Sequence, residues 1–148
     1  MRHIKRAVCI AFLVAMTLSL SGCLRDDRAE IIALYYENEA FFAEIAASGN
    51  FADAESINGV SVHEVSWSHT VEFICRAHGF YPGNGRYYGI SYVPTGNWQD
   101  VSHCGPKFRQ GVVVNDDETI YEYKEKEGDD YWYAMKLSGD YWYYEVQY

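Results

Sequence analysis

His63, His69, His78 and His103 carry the side chains best suited to hold a metal or move a proton near neutral pH, with Glu64 and Glu72 as carboxylate companions. Their spacing supports neither role. No H-x-x-x-H sits on a helical stretch and no C-x-x-C pair exists, and His63 and Glu64, adjacent on a strand, point to opposite faces. The histidines therefore read as structural or surface groups, with no metal and no cofactor expected. Cys75 and Cys104 offer a second chemistry, a thiolate nucleophile with His78 or His103 as base. Asp129 with Asp130, and Glu125 with Glu127, offer a third, paired carboxylates for acid–base work, but a charged hairpin tip is solvated and lacks the burial that raises one pKa. Asn115-Asp116-Asp117-Glu118 lacks the alternating ligands and distant Glu of a calcium loop, and Gly83-Asn84-Gly85 has no helix after it to cradle phosphate. No catalytic signature stands out, so the chain is expected not to be an enzyme.

The aromatic residues are the stronger candidates for function. There are fourteen Tyr and four Trp, and such side chains suit half-buried sheet faces and binding surfaces equally. Tyr121 and Tyr123, Tyr131 and Tyr133, and Tyr141 and Tyr143 fall at strand period and can align across neighbouring strands, either as structural pairs or as an exposed platform for sugars or a protein partner. The candidate binding surface is Tyr131, Tyr133, Tyr141 and Tyr143, together with Trp98, which lies in a loop beside Gly96 and Asn97.

The elements that must position these residues follow from two periods. Asp26 or Asp27 can cap a helix with Glu30 in a capping-box arrangement, and Ile31, Leu34, Tyr35, Asn38, Phe41, Phe42 and Ile45 then form one stripe at helical spacing. Ser48-Gly49-Asn50 ends it. After Gly59 the period becomes 2, with strand segments at 60–65, 71–77, 87–93, 112–114, 119–124, 131–137 and 141–147 and a long loop over 94–107. This pattern predicts an α+β domain in which one N-terminal amphipathic helix packs on a meandering antiparallel sheet of about five to six strands.

Before the helix, Arg2, Lys5 and Arg6 precede an almost wholly apolar run over 7–20, too short to span a bilayer as a mature helix, and then Leu20-Ser21-Gly22-Cys23. The order of charge, apolar run, small residues and cysteine resembles the lipobox of bacterial lipoprotein signal peptides. The resemblance implies a signal peptide over 1–22, cleavage before Cys23, acylation of Cys23, and a single domain over 23–148. All twenty-one acidic residues then remain against nine basic ones, a formal charge of −12. Such a domain is repelled by nucleic acid and by anionic headgroups, so the membrane partnership must come through the lipid anchor. Acyl chains together supply it at about 0.8 kcal/mol per buried methylene. Cys75 and Cys104, left alone in an oxidising compartment, are expected to form a disulfide, which would stabilise the fold by roughly 3 to 4 kcal/mol. Leu24, standing where an Asp typically marks retention in the inner membrane, points to the outer membrane if the host has two.

The mature part also resembles a group of small bacterial proteins that combine an N-terminal helix with a G-x-x-Y segment and a terminal W-Y-Y-Y or W-Y-Y-E strand. The matching residues are Gly89-Ile90-Ser91-Tyr92-Val93-Pro94, the charged hairpin near Gly128, and Tyr141-Trp142-Tyr143-Tyr144-Glu145. The likeness brings no activity with it. The expected function is that of a lipid-anchored, extracytoplasmic, non-catalytic domain that binds a protein or glycan. The alternative is an inhibitor or immunity-type lipoprotein directed at a basic wall-degrading enzyme. Ser138-Gly139-Asp140-Tyr141 is similar to the S-G-x-x-Y loop of small lipoprotein lysozyme inhibitors, while the N-terminal helix departs from their all-β pattern.

Overall fold

The computed structural model describes residues 27–65, 69–79 and 84–148. The expected signal peptide over 1–22, the lipobox-like segment and Cys23 lie outside these residues. Among the described residues no helix is long and apolar enough to cross a membrane.

The described residues begin with two helices where the apolar stripe predicts one: α1 (Asp27–Glu37) and α2 (Glu39–Ser48). Asn38 makes the break. Its side-chain Nδ2 donates to the Leu34 carbonyl at 2.8 Å, the position a helical N–H of residue 38 would occupy, and its own N–H turns to Tyr35 O at 3.0 Å. Gly49 closes α2 in the left-handed region at φ 73°, returning its N–H to Ile45 O, and a 3₁₀ turn, Phe51–Ser56, follows. The predicted stripe faces the sheet, with Ile31, Tyr35, Phe42 and Ile45 all buried.

Seven strands follow in one antiparallel sheet: β1 (Ser61–Val65), β2 (Thr70–Gly79), β3 (Gly85–Tyr92), β4 (Val113–Val114), β5 (Ile120–Lys124), β6 (Tyr131–Lys136) and β7 (Tyr141–Gln147). The class is α+β as expected, with more strands than the five or six expected. The order, β1-β2-β3-β7-β6-β5-β4, is two meanders joined at the centre by β3 and β7. The last strand is central because Tyr141, Trp142, Tyr143 and Tyr144 are all buried, so both faces of β7 need cover. The connection from β3 to β4 carries a 3₁₀ turn (Trp98–Asp100) and the one-turn α3 (Pro106–Arg109) across one face of the sheet.

Each face has its own core. Under α1 and α2 lie Phe73, Cys75, Tyr88, Ile90, Tyr133, Tyr141 and Tyr143. On the other face Val101, Cys104 and Phe108 of the connection cover Tyr87, Tyr121, Trp132, Trp142 and Tyr144. Alternation along β6 and β7 therefore divides the candidate tyrosines: Tyr131, Tyr133, Tyr141 and Tyr143 face the helices, and Tyr121 and Tyr123 face the connection.

Candidate functional site

Most of the expected tyrosine platform is interior. Tyr133, Tyr141 and Tyr143 are 7%, 5% and 0% exposed, which removes them as a binding surface. They are buried because β6 and β7 lie under the helices, where Tyr141 donates its hydroxyl hydrogen to the Phe42 carbonyl at 2.6 Å. Burial pushes the phenols of Tyr141 and Tyr143 well above their usual value.

Tyr131 is different. It is half-buried at the end of β6 and lines an open cleft of about 320 Å³ with Arg86, Lys124, Gly128, Asp129, Asp130, Glu145 and Gln147. Four strands supply these residues: β3, β5, β6 and β7, together with the β5–β6 turn. Arg28, in the first turn of α1, closes one rim. Its Nη2 donates to Glu145 Oε2 at 2.7 Å and to the Tyr131 hydroxyl at 3.2 Å, and its guanidinium carbon lies 3.9 Å from the centre of the Tyr133 ring. Burial works against the Arg28 charge, but the Glu145 carboxylate outweighs it and holds the guanidinium firmly protonated. The cleft thus offers fixed donors, fixed acceptors and one aromatic edge. That equips it for recognition of a polar ligand.

On the other face the structure makes a constellation that the sequence pattern does not announce. Glu72, one of the candidate carboxylates, is 2% exposed on β2. Its Oε1 accepts from the Tyr144 hydroxyl at 2.5 Å and from His103 Nε2 at 2.7 Å, and His63 Nδ1 is 3.4 Å from Oε2. His103 Nδ1 is in turn 3.1 Å from the Tyr148 hydroxyl, and its ring stacks on Tyr87 at 5.6 Å. Burial alone would raise the Glu72 carboxyl. The hydrogen bond and charge of His103, with the bonds from Tyr144 and His63, prevail and hold it below the usual carboxylate value. Two of the four expected histidines therefore meet on one carboxylate, while His78 lies beside Asp27, 3.6 Å away. Among the described residues no group of His, Cys, Asp and Glu could hold a metal ion. The arrangement pins the connection to the sheet, since His103 sits on the connection and Glu72 on β2.

Trp98 is half-buried, not a free loop side chain: it stacks on Tyr121 at 5.0 Å and leans on Trp132 at 6.1 Å, capping the core under the connection. Cys75 and Cys104 are both buried, one in each core, with the sheet between the two clusters. Burial pushes Cys75 up to about 12 and Cys104 up to about 11, so neither forms the thiolate a nucleophile needs near neutral pH.

Fold and cleft together define an α+β architecture with a polar cleft at one end of its sheet. Compared with protein-family models, with curated proteins and with solved structures, the chain matches none.

Proposed function

We propose that the mature chain is a lipid-anchored extracytoplasmic domain that binds a polar ligand without chemical turnover, and that the cleft around Tyr131 is where it binds. The observation that carries this reading is the cleft itself: Tyr131, one of the five aromatic candidates, lines a cavity in company with charged and amide side chains. The lipobox supports the anchor, and the formal charge of −12 on the mature chain supports a partner other than nucleic acid.

Two measurements test the two halves separately. Cys23→Ser is expected to abolish acyl labelling and membrane fractionation; a variant that still fractionates with membranes at mature length overturns the anchor. Nuclear magnetic resonance titration of the full chain with chitotetraose, a lysine-rich peptide and glycerophosphoethanolamine is expected to shift resonances of Tyr131, Gln147 and Arg86 with one of the three. Absence of any shift in the cleft overturns the binding site.

A further inference from the structure

We infer that the ligand of this cleft is a zwitterion carrying a phosphate beside a primary ammonium, the chemistry of a phosphoethanolamine group. The inference rests on the binding reading above and names its ligand class.

Charge is the first argument. Only nine basic residues remain against twenty-one acidic ones in the mature chain, yet Arg86 and Lys124 line this one cleft and Arg28 stands at its rim. Opposite them lie Glu145, Asp129 and Asp130. Part of this charge is already matched, Glu145 by Arg28 and Asp130 by Lys107. Among the described residues Lys124 and Asp129 have no ion-pair partner, although both line the same cavity. A plain anion is drawn to Lys124 and Arg86 but repelled by Asp129, and a plain cation meets the reverse. A neutral sugar gains from neither charge. A molecule with a phosphate for Lys124 and Arg86 and an ammonium for Asp129 satisfies both at once.

Position is the second argument. Arg28 lies five positions after Cys23, a reach of at most about 18 Å even when fully extended. Arg28 is itself hydrogen-bonded to two cleft residues, Tyr131 and Glu145. Acylation of Cys23 therefore holds the cleft close to the headgroup layer, which extends several Å beyond the hydrocarbon on each side. A volume of about 320 Å³ suits a headgroup and is small for an extended glycan.

The test titrates the full chain with glycerophosphoethanolamine, glycerophosphoglycerol and glycine, and compares Lys124→Gln and Asp129→Asn with Lys126→Gln, an exposed change outside the cleft lining. Neither Lys124 nor Asp129 is buried, so folding should survive both cleft changes. Glycerophosphoethanolamine should bind most tightly, and each cleft change should weaken it about tenfold, the loss of one charge-assisted contact, while Lys126→Gln leaves it unchanged. Equal binding of glycerophosphoglycerol, or equal effects of Lys124→Gln and Lys126→Gln, overturns the inference. Nanodiscs of phosphatidylethanolamine that compete with the soluble headgroup assign the source to lipid; failure to compete assigns it to a free phosphoethanolamine compound. Cleft shifts with chitotetraose or glycine alone reject the ligand class and keep the binding reading, whereas no cleft shift with any probe rejects both.

Discussion

His103 Nε2 lies 2.7 Å from Glu72 Oε1, joining the long connection to the second strand through a carboxylate that is almost fully buried. The residue before His103 helps hold the same place: the Ser102 N–H donates to Ser91 Oγ at 3.2 Å, and its carbonyl accepts from Trp132 Nε1 at 3.2 Å. The face opposite the helices thus has a polar lock set among aromatic rings. Such a lock is strong only while every member is satisfied.

Glu72→Ala removes the acceptor shared by Tyr144, His103 and His63, and is expected to destabilise the fold by about 3 to 5 kcal/mol. The pH dependence has a definite sign. The carboxyl is held below its usual value of 4.5 in the folded chain, so its contribution is complete above that value and is lost as pH falls through the folded pKa. Wild type should therefore lose stability more steeply than Glu72→Gln in the acid range below about pH 4.5. Denaturant unfolding of both proteins across that range checks it; parallel curves would show that Glu72 does not couple to folding.

All seven strands coincide with segments that the sequence pattern marks as strands, because strand-like runs and the turn residues at Asn115 and Ser138-Gly139 are local signals. Their order is not local. A consecutive meander would place β4 beside β3, but the β3–β4 connection is long enough to cross a whole face, and β7 takes that position. The run Tyr141-Trp142-Tyr143-Tyr144, which does not alternate, is the signal of a strand covered on both sides and so of a central strand. The burial of Glu72 and its pairing with His103 were hidden for the opposite reason. Between Val71 and Phe73 a carboxylate reads as the wet face of an ordinary alternation, and its partner His103 arrives from a loop thirty-one positions away. The cleft was equally hidden, since Arg86, Lys124, Tyr131 and Glu145 come together only through strand register.

Gly89 faces Tyr144 across β3 and β7, and the absence of a side chain there is what admits the ring. A Cβ at this position would collide with the Phe73 carbonyl oxygen and lie 2.8 Å from the Tyr144 hydroxyl. Gly89→Ala should therefore displace Tyr144 from Glu72 and destabilise the chain by about 1 to 3 kcal/mol, as overpacking of a tight core does. Thermal unfolding measures this. A variant as stable as wild type would mean that the ring has room to move.

Cys75 and Cys104 are expected to remain thiols, because they belong to cores on opposite faces of the sheet and each is raised by burial. Iodoacetamide should leave both unmodified in the native chain and label both after unfolding without reductant. A mass two hydrogens lighter, with neither thiol labelled in denaturant, would establish the bridge expected from an oxidising compartment and would require the connection to sit differently on the sheet.

Trp98 is the residue whose role the geometry changes most. Flanked by Gly96 and Asn97, it reads in sequence as an exposed recognition side chain, but its ring lies nearly parallel to Tyr121, 20° apart, and beside Trp132. Asn97 fixes the turn that aims it, its side chain accepting the Gln99 N–H at 3.1 Å, and Arg109 ties the same turn to α3 through the Gln99 carbonyl at 2.6 Å. Truncation of a fully buried Trp removes about 3 to 5 kcal/mol, and of a free surface one less than about 0.5. A half-buried, stacked Trp98 belongs between them, so Trp98→Ala should lose about 2 kcal/mol, and Trp98→Phe, which keeps a ring against Tyr121, should recover part of that loss. Denaturant unfolding separates the cases. A loss under about 0.5 kcal/mol for the alanine variant would free Trp98 from the core and return it to recognition.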